Sequence, residues 1–194
     1  MEKASKSLDL SIGQRIRAVR AGNGLSLDKL AEISGVSRAM ISKIERGDAS
    51  ATAALLARLC AGLGINLSAL FLSSQEDDRP LSRRALQVSW QDPDSGYVRR
   101  TVSPSGTASP IELTDVTMPP GKRVAFDTPW ILRRIDQQIY LLEGTLEMTI
   151  GKAVHQLAAG DCLHMRCDEP IAYHNKGKTS ARYIVALTFP GGLS

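Results

Sequence analysis

The spacing of apolar residues changes near residue 73, and this change constrains the fold more than any other feature of the sequence. Before it, apolar residues follow a helical period: Ile12, Ile16 and Val19 are separated by four and three positions. The polar, acidic segment SSQEDDRP (73–80) has the composition of a linker. After it, short runs rich in β-forming residues alternate with turn material. The pattern predicts an all-α unit followed by an all-β sandwich or barrel.

The helical part is predicted to contain five short helices. Ser26 is the expected N-cap of the second helix and Ser37 of the third, and the fourth helix begins near Thr52. Gly64 is expected to end that helix, and NLSALF (66–71) to close the unit as a fifth helical turn. The predicted strands are ALQVSW (85–90), YVRRTVS (97–103), IELTDVTM (111–118), IYLLEGTLEMTI (139–150), AVHQLAAGD (153–161) and ARYIVALTF (181–189).

Positive charge is concentrated in the first third of the chain. Residues 1–72 contain ten Lys and Arg against six Asp and Glu, whereas residues 73–194 contain fourteen of each. This asymmetry suggests that the N-terminal part meets an anion, nucleic acid above all. Since no apolar run approaches the roughly 20 residues of a membrane span, and the N-terminus has no signal-peptide pattern, a cytoplasmic location without a membrane partner is expected.

The three cysteines, Cys60, Cys162 and Cys167, form no CxxC pair. An odd number without such a pair argues against a disulfide framework and against a thiolate zinc site. Cys60 is expected to be a small buried residue of a helix.

The third predicted helix has two different faces. Ile41 and Ile44 give it an apolar side, and the opposite side carries few acids and several cations. Two explanations of the cationic side compete: a solvated surface, or a surface that binds a polyanion. The residues of this side are Arg38, Ala39, Ser42, Lys43 and Arg46.

The segment GNGLSLDKLAEISGVSRAMISKIERGDAS, with a helix on each side, resembles the helix-turn-helix domain of the phage-repressor-like regulators of the XRE family. The resemblance covers residues 9 to 72. It implies a five-helix DNA-binding domain in which the third helix enters the major groove. It also implies a partly buried ion pair between Arg20 and Glu45 that holds this helix. Leu27 stands where the family often has a polar, phosphate-contacting residue.

The resemblance gives the exposed residues specific expected roles. Arg38 is the first choice for a base contact, because its planar guanidinium can pair with guanine O6 and N7. Ala39 can contact a thymine methyl group, and Lys43 a base or a phosphate. Phosphate contacts set the register of the protein on DNA without reading its sequence. The expected phosphate contacts are Ser26, Ser37, Ser42 and Arg46.

Residues 111 to 189 resemble a cupin, a double-stranded β-barrel of the jelly-roll type. The resemblance rests on the motifs MPPGKRV, IYLLEGTLEMTIG, LAAGD and EPIAYHNKG. Metal-binding cupins supply histidines and a glutamate at fixed positions, but Gln137 and Ile171 occupy two of them here. We therefore expect no metal and no cofactor. The alternative left open is a displaced site built from His164, Cys162 or Cys167.

A barrel of this size can enclose one small molecule. The residues expected to line such a pocket are Trp130, Arg133, Gln137, Ile139, Ile171 and Tyr173. An arginine at its mouth can hold a carboxylate with two hydrogen bonds. The competing interpretation is that Arg133 and Arg134 are a solvated loop pair, like Arg83–Arg84 and Arg99–Arg100.

These observations predict a multidomain chain, α then β: a DNA-binding domain (9–72), a linker (73–84) and a cupin-like sensor or dimerisation domain (85–194). The expected function is a non-enzymatic transcriptional regulator that binds a roughly palindromic operator as a homodimer and responds to a small-molecule effector. The alternative is a mononuclear iron oxygenase of the epoxidase type that carries the same helical head. A third hypothesis, an antitoxin-like interaction module, has less support in the sequence.

Overall fold

The structure is a computed structural model. It describes residues 2–65, 67–71, 80–104, 107, 109–127 and 135–188, with side chains from residue 6 onward. The chain divides into two compact units, Met1–Leu72 and Ser73–Ser194, called the helical unit and the β unit below. No helix among the described residues is long and apolar enough to cross a membrane.

The described part of the helical unit contains four α-helices, so the prediction of five is wrong. The segment 68–71 has only four residues and forms a 3-10 helix, Ser68–Phe71, whose Leu70 amide donates to the Leu67 carbonyl at 3.2 Å. So short a segment closes with the tighter i to i+3 pattern rather than as an α-helix. The helices are α1 (Glu2–Gly22), α2 (Leu27–Ser34), α3 (Arg38–Glu45) and α4 (Ala53–Leu63).

N-caps, the predicted ones at Ser26 and Ser37 and a further one at Thr52, explain where the short helices begin. The hydroxyls of Ser26, Ser37 and Thr52 accept hydrogen bonds from the third residue beyond each of them, at 3.0, 3.3 and 3.3 Å. Each cap satisfies an amide that the first helical turn leaves without a partner. Gly35 ends α2 in the left-handed conformation, with φ of 63°, which is unfavourable for residues that carry a Cβ atom.

The core of the helical unit depends on a close approach between α1 and α3. Ile12 and Ile16 of α1, and Ile41 and Ile44 of α3, are almost completely buried. Gly13 lies where the two helices meet, and a Cβ atom at this position would be 2.0 Å from the carbonyl oxygen of Ile44. Only glycine therefore allows α1 to hold α3 at this distance.

The described part of the β unit consists of short strands in two antiparallel sheets. The strands are β1 (Ser89–Gln91), β2 (Val98–Thr101), β3 (Ile111–Met118), β4 (Arg123–Phe126), β5 (Asp136–Glu143), β6 (Thr145–Ile150), β7 (Ala153–Ala158), β8 (Cys162–Arg166), β9 (Ile171–His174) and β10 (Ala181–Thr188). The strand order is β1-β2-β3-β10-β5-β8 in one sheet and β4-β9-β6-β7 in the other. The sheets pack face to face, since Tyr173 of the second sheet stacks on Tyr183 of the first with ring centroids 5.8 Å apart. This is the expected jelly roll.

Several strands differ from the expected ones. β4, β8 and β9 were not among the predicted strands, because they are only four or five residues long and stand next to Gly, Pro and Asp. The predicted strand 85–90 is also wrong in its first half, where Arg84–Leu86 forms a 3-10 helix and β1 begins only at Ser89. Short strands of this kind are specified by their partners in the sheet rather than by local preference.

Asn175 fixes the end of β9 from inside the protein. Its side chain is fully buried and donates to the carbonyls of Met118 and Thr179 at 3.0 and 2.8 Å. It accepts from the amide of Gly177 at 2.9 Å. The side chain thus replaces backbone partners at a turn, which explains a buried polar residue in an otherwise apolar core.

Candidate nucleic-acid interface and barrel interior

The α3 helix presents a cationic face to solvent. Ile41 and Ile44 are buried, whereas Arg38, Ala39 and Lys43 are exposed. Glu45 is the one acidic residue of α3, and it is buried. The exposed face therefore carries cations without a carboxylate of its own helix among them.

The predicted ion pair between Arg20 and Glu45 is confirmed. The Arg20 guanidinium donates from Nε to Oε1 at 2.6 Å and from Nη2 to Oε2 at 2.8 Å, and its Nη1 donates to the Leu25 carbonyl at 2.8 Å. The hydrogen bonds to Glu45 raise the pKa of Arg20 above its usual value. This bidentate contact ties α3 to α1 and to the turn before α2, and so it sets the angle at which the exposed face is presented.

Arg58 of α4 closes the end of α2. Its Nε donates to the Ser34 carbonyl at 3.0 Å, and its Nη2 donates to the Gly35 carbonyl. These are carbonyls at the C-terminal end of a helix, where a cation is favourable. This role could not be predicted from local sequence, because the contact joins residues 24 positions apart. Arg58 therefore stabilises the turn before α3 and is not part of the cationic face.

Arg38 and Lys43 differ in their surroundings. The Nε of Arg38 lies 3.5 Å from Oδ1 of Asp28 on α2, and both side chains are more than half exposed. The ammonium group of Lys43 makes no hydrogen bond or ion pair with the described part of the chain. An exposed pair of this kind contributes little to stability. Both cations are thus accessible to a partner.

Arg46 is already bound to its neighbours. Its Nε donates to Oδ2 of Asp48 at 2.7 Å, and its Nη1 donates to the hydroxyl of Ser42 at 2.6 Å. Two of the expected phosphate contacts, Ser42 and Arg46, thus lie within hydrogen-bonding distance of each other. A phosphate that takes Arg46 must compete with the Asp48 carboxylate.

The other two expected phosphate contacts are the N-caps Ser26 and Ser37. Each hydroxyl oxygen accepts a backbone hydrogen bond and is exposed, so its hydrogen can still be donated outward. Leu27, which follows Ser26, is only partly exposed. The caps place two helix N-termini, those of α2 and α3, on the side of the unit where the cations are, since Arg38 and Asp28 are in contact.

In the β unit, the expected pocket residues Gln137, Ile139, Ile171 and Tyr173 are all buried. Gln137 donates from Nε2 to the Tyr173 hydroxyl, and its Oε1 accepts from Sγ of Cys167 at 3.2 Å. The other two, Trp130 and Arg133, lie outside the described residues. The described four come from β5 and β9, so both sheets contribute to this part of the interior.

A second polar group lies on the inner face of the six-stranded sheet. Arg99 of β2 is buried, and its Nη2 donates to Oε1 of Glu112 at 3.3 Å and to the hydroxyl of Thr114 at 3.1 Å. The expectation that Arg99 and Arg100 form a solvated loop pair is therefore wrong. The sequence IELTDVTM could have indicated polar partners inside the sheet. Glu112 and Thr114 stand at alternate positions in phase with Val116 and Met118, which are buried.

Two tyrosines, Tyr97 and Tyr173, are also buried in the interior of the β unit. Burial raises the pKa of Tyr97 to about 12, and burial likewise raises the pKa of Tyr173 well above its usual value. Tyr173 packs edge to face with Phe126, with centroids 6.0 Å apart, as well as stacking on Tyr183. Both phenols are therefore neutral at neutral pH, and the Tyr173 hydroxyl accepts a hydrogen bond from Gln137.

The residues at the positions of the cupin metal ligands do not fit a metal. The amide of Gln137 is already engaged on both sides by Tyr173 and Cys167, and Ile171 offers no donor atom. The alternative ligands do not converge either, since His164 and Cys162 are exposed whereas Cys167 is buried. Within the described ranges, no group of three or more His, Cys, Asp or Glu side chains could hold a metal ion.

Comparison with known proteins matches each of the two units to a protein family. The helix-turn-helix family HTH_3 matches residues 16–70, and the cupin domain family Cupin_2 matches residues 115–187. The HTH-type transcriptional regulator SutR of Escherichia coli K12 is 25% identical over 191 residues, 98% of this chain and 99% of SutR. The HTH-type transcriptional regulator PuuR of the same bacterium is 26% identical over 186 residues, 92% of this chain and 95% of PuuR.

A solved structure agrees with these relatives. The crystal structure of an HTH_3 family transcriptional regulator from Vibrio cholerae is 26% identical and has a TM-score of 0.78, covering 96% of this chain and 99% of that one. The chain thus carries an XRE-type helix-turn-helix domain followed by a cupin domain, and it is similar over nearly its whole length to proteins named HTH-type transcriptional regulators.

Proposed function

We propose that the protein recognises a specific operator through α3, with Arg38, Ala39 and Lys43 as its base contacts. The observation that carries this proposal is the two-faced helix: Ile41 and Ile44 are buried, and the exposed face holds cations while the only carboxylate of α3 is buried against Arg20. A helix anchored in this way can enter the major groove with its N-terminal residues towards the bases.

The phosphate contacts surround this helix. Ser26 and Ser37 stand at the N-termini of α2 and α3, where backbone amides and the helix dipole favour an anion. Ser42 and Arg46 follow on α3 and at its end. These four residues are proposed to set the register of the protein on the duplex, so that sequence preference depends on the base contacts.

The remaining parts of the proposal concern the domain bounds, the location of the protein, its oligomeric state and its effector. The DNA-binding domain is assigned to residues 9–72, the linker to 73–84 and the cupin-like domain to 85–194. The protein acts in the cytoplasm as a homodimer, which places two recognition helices about 34 Å apart on a roughly palindromic operator. Binding of a small-molecule effector changes operator affinity by favouring one arrangement of the two heads.

The buried polar groups of the barrel support the effector hypothesis. Arg99 and Glu112 form an ion pair inside a domain where apolar residues of similar volume would often be as stable or more stable. Together with Gln137 and Tyr173 they provide donors and acceptors in a largely apolar interior, which is the composition of a small-molecule site.

The iron-oxygenase alternative has less support. That chemistry needs two histidines and a carboxylate, and Gln137 and Ile171 stand at two of the required positions. Metal analysis of protein purified without chelators tests it, since stoichiometric iron would favour the enzyme over the regulator.

The proposal is tested by fluorescence anisotropy on the DNA upstream of the gene and on a scrambled control, across a salt series. We expect tight binding to one sequence, and a loss of about 10- to 100-fold in Arg38→Ala together with a loss of preference. The matched control is Arg123→Ala, which removes the same charge from an exposed position of β4. Equal losses in the two variants, or a steep salt dependence with no preference between the DNAs, would reject sequence reading by α3.

A further inference from the structure

Asp28 of α2 lies beside the arginine that is proposed to contact a base. Its Oδ1 is 3.5 Å from Nε of Arg38, and the two side chains are 72% and 66% exposed. Among the residues that the structure describes, the guanidinium of Arg38 has no other ion pair and no hydrogen bond. The contact joins the first turns of α2 and α3, which are the two turns proposed to face DNA.

Helix stability explains only one member of this pair. Asp28 stands in the first turn of α2, where the positive end of the helix dipole favours a carboxylate. Arg38 is the first residue of α3, and the same effect makes a cation unfavourable there. A purely structural interpretation therefore accounts for the acid, but neither for the arginine nor for its position beside that acid.

The side of the guanidinium that meets Asp28 determines which of its donors remain. A guanidinium has five N–H donors in one plane, one on Nε and four on the two Nη atoms. Because Asp28 lies at Nε, the Nη atoms can point at O6 and N7 of a guanine. Arg46 differs, since Asp48 and Ser42 occupy its Nε and its Nη1. The carboxylate thus restrains Arg38 and leaves the two-pronged end that pairs with a base.

A restraint of this kind acts on specificity. An arginine held in advance loses less rotamer freedom when it meets a base than one that moves freely. The same carboxylate repels the phosphates of every DNA sequence. We infer that Asp28 is a positioning residue that directs Arg38 towards a guanine, so that it increases the preference for the operator and lowers affinity for DNA in general. This inference rests on the proposed function, because it requires Arg38 to contact a base.

The test measures the affinity of the full chain for the upstream DNA and for the scrambled control, by fluorescence anisotropy at one salt concentration. Asp28→Asn keeps the size of the side chain and removes its charge. We expect affinity for scrambled DNA to rise about 3-fold and affinity for the operator to fall about 3-fold, so that their ratio falls roughly 10-fold. Asp28→Glu, which restores the charge on a longer stem, should recover part of the preference.

The matched control is Glu32→Gln. Glu32 is an exposed carboxylate of the same helix, but it pairs with Nζ of Lys29 at 2.9 Å. Loss of this charge should change the two affinities equally and leave their ratio as it was. Asp28→Asn is also combined with Arg38→Ala. Since no arginine is then left to position, the double variant should have the same ratio as Arg38→Ala alone. Circular dichroism checks that each variant is folded.

The possible outcomes separate this inference from the proposed function. If Arg38→Ala loses the preference and Asp28→Asn keeps it, the inference is overturned and the proposed function stands. An equal fall of the ratio in Glu32→Gln, or a further fall when Asp28→Asn is added to Arg38→Ala, would also overturn the inference, because the effect would not depend on Arg38. A wild type without any preference, or an Arg38→Ala variant that retains it, would reject both.

Discussion

The helical unit and the β unit use arginine in opposite ways. Arg38 and Arg46 of the helical unit have side chains that are 66% and 55% exposed, whereas Arg99 and Arg100 of the β unit are 9% and 18% exposed. The first pair lies at the surface beside the exposed carboxylates of Asp28 and Asp48, and the second is buried against carboxylates of neighbouring strands. The formal charge follows the same division, +4 before residue 73 and zero after it.

This difference separates two physical roles of the same side chain. An exposed arginine contributes little to stability and remains available to a polyanion. A buried arginine is held by its carboxylate, and removal of either partner leaves an uncompensated charge inside the protein. Exposure and partner, rather than residue type, therefore distinguish the arginines proposed to bind DNA from those that hold the fold.

The largest expected effect on stability is at the Arg20–Glu45 pair, where the helical unit, like the β unit, pairs a largely buried arginine with a carboxylate. Glu45→Ala removes the carboxylate that accepts two hydrogen bonds from Arg20 and leaves the guanidinium buried. We expect the free energy of unfolding of the helical unit to fall by about 3 kcal/mol. Chemical denaturation followed by circular dichroism at the helical band measures this.

The matched control for that change is Glu32→Ala. Glu32 also forms an ion pair, with Nζ of Lys29 at 2.9 Å, but its side chain is 69% exposed. We expect a change within about 0.5 kcal/mol. If both variants lost the same stability, the distinction between buried and exposed pairs in this unit would be wrong.

A smaller effect with a defined pH dependence is expected at Asp115. Burial alone would raise the pKa of Asp115, but hydrogen bonds and charge from Arg182 and Arg100 outweigh burial and lower it. A lowered pKa in the folded state means that the ionised carboxylate stabilises the fold at every pH above about 3.9, the usual value for Asp. This stability is lost as the pH falls below that value and through the lower folded pKa.

Asp115→Asn should therefore destabilise the β unit by about 2 kcal/mol at neutral pH. It should also reduce the decline in stability between pH 5 and the acid limit, because the neutral amide does not titrate. Thermal unfolding of both proteins over a pH series measures the two effects together. Parallel stability curves would contradict the assigned role of this carboxylate, and Asp94→Asn, at an exposed turn, is the control.

Much of the helical unit could be predicted because its signals are local. The caps at Ser26 and Ser37 act three residues away, and the two faces of α3 are visible within eight residues. The Arg20–Glu45 pair was expected from the family resemblance. What could not be predicted there, the Arg58 contact with α2 and the α1–α3 approach at Gly13, joins segments more than twenty residues apart.

The β unit was harder to predict from the sequence, because its contacts are not local. Its polar contacts join distant strands: Gln137 meets Tyr173 across 36 positions, and Arg182 meets Asp115 across 67. The double arginine at 99–100 illustrates the problem, since two adjacent residues of a strand point to opposite faces and acquire different partners. Local sequence shows two cations, and only the sheet register assigns one to Glu112 and the other to Asp115.

The smallest effect concerns the exposed arginine that has a carboxylate beside it. Asp48 accepts from Arg46 at 2.7 Å, and both side chains are 55% exposed. Asp48→Asn should free Arg46 for a phosphate, and we expect operator affinity to rise about 3- to 10-fold at low salt with a salt slope steeper by about one. Since Asp94→Asn removes the same charge from the β unit, an equal gain there would mean that net charge alone is responsible. A gain confined to Asp48→Asn, equal on operator and scrambled DNA, is the outcome expected of a phosphate contact, because a contact to phosphate carries no sequence information.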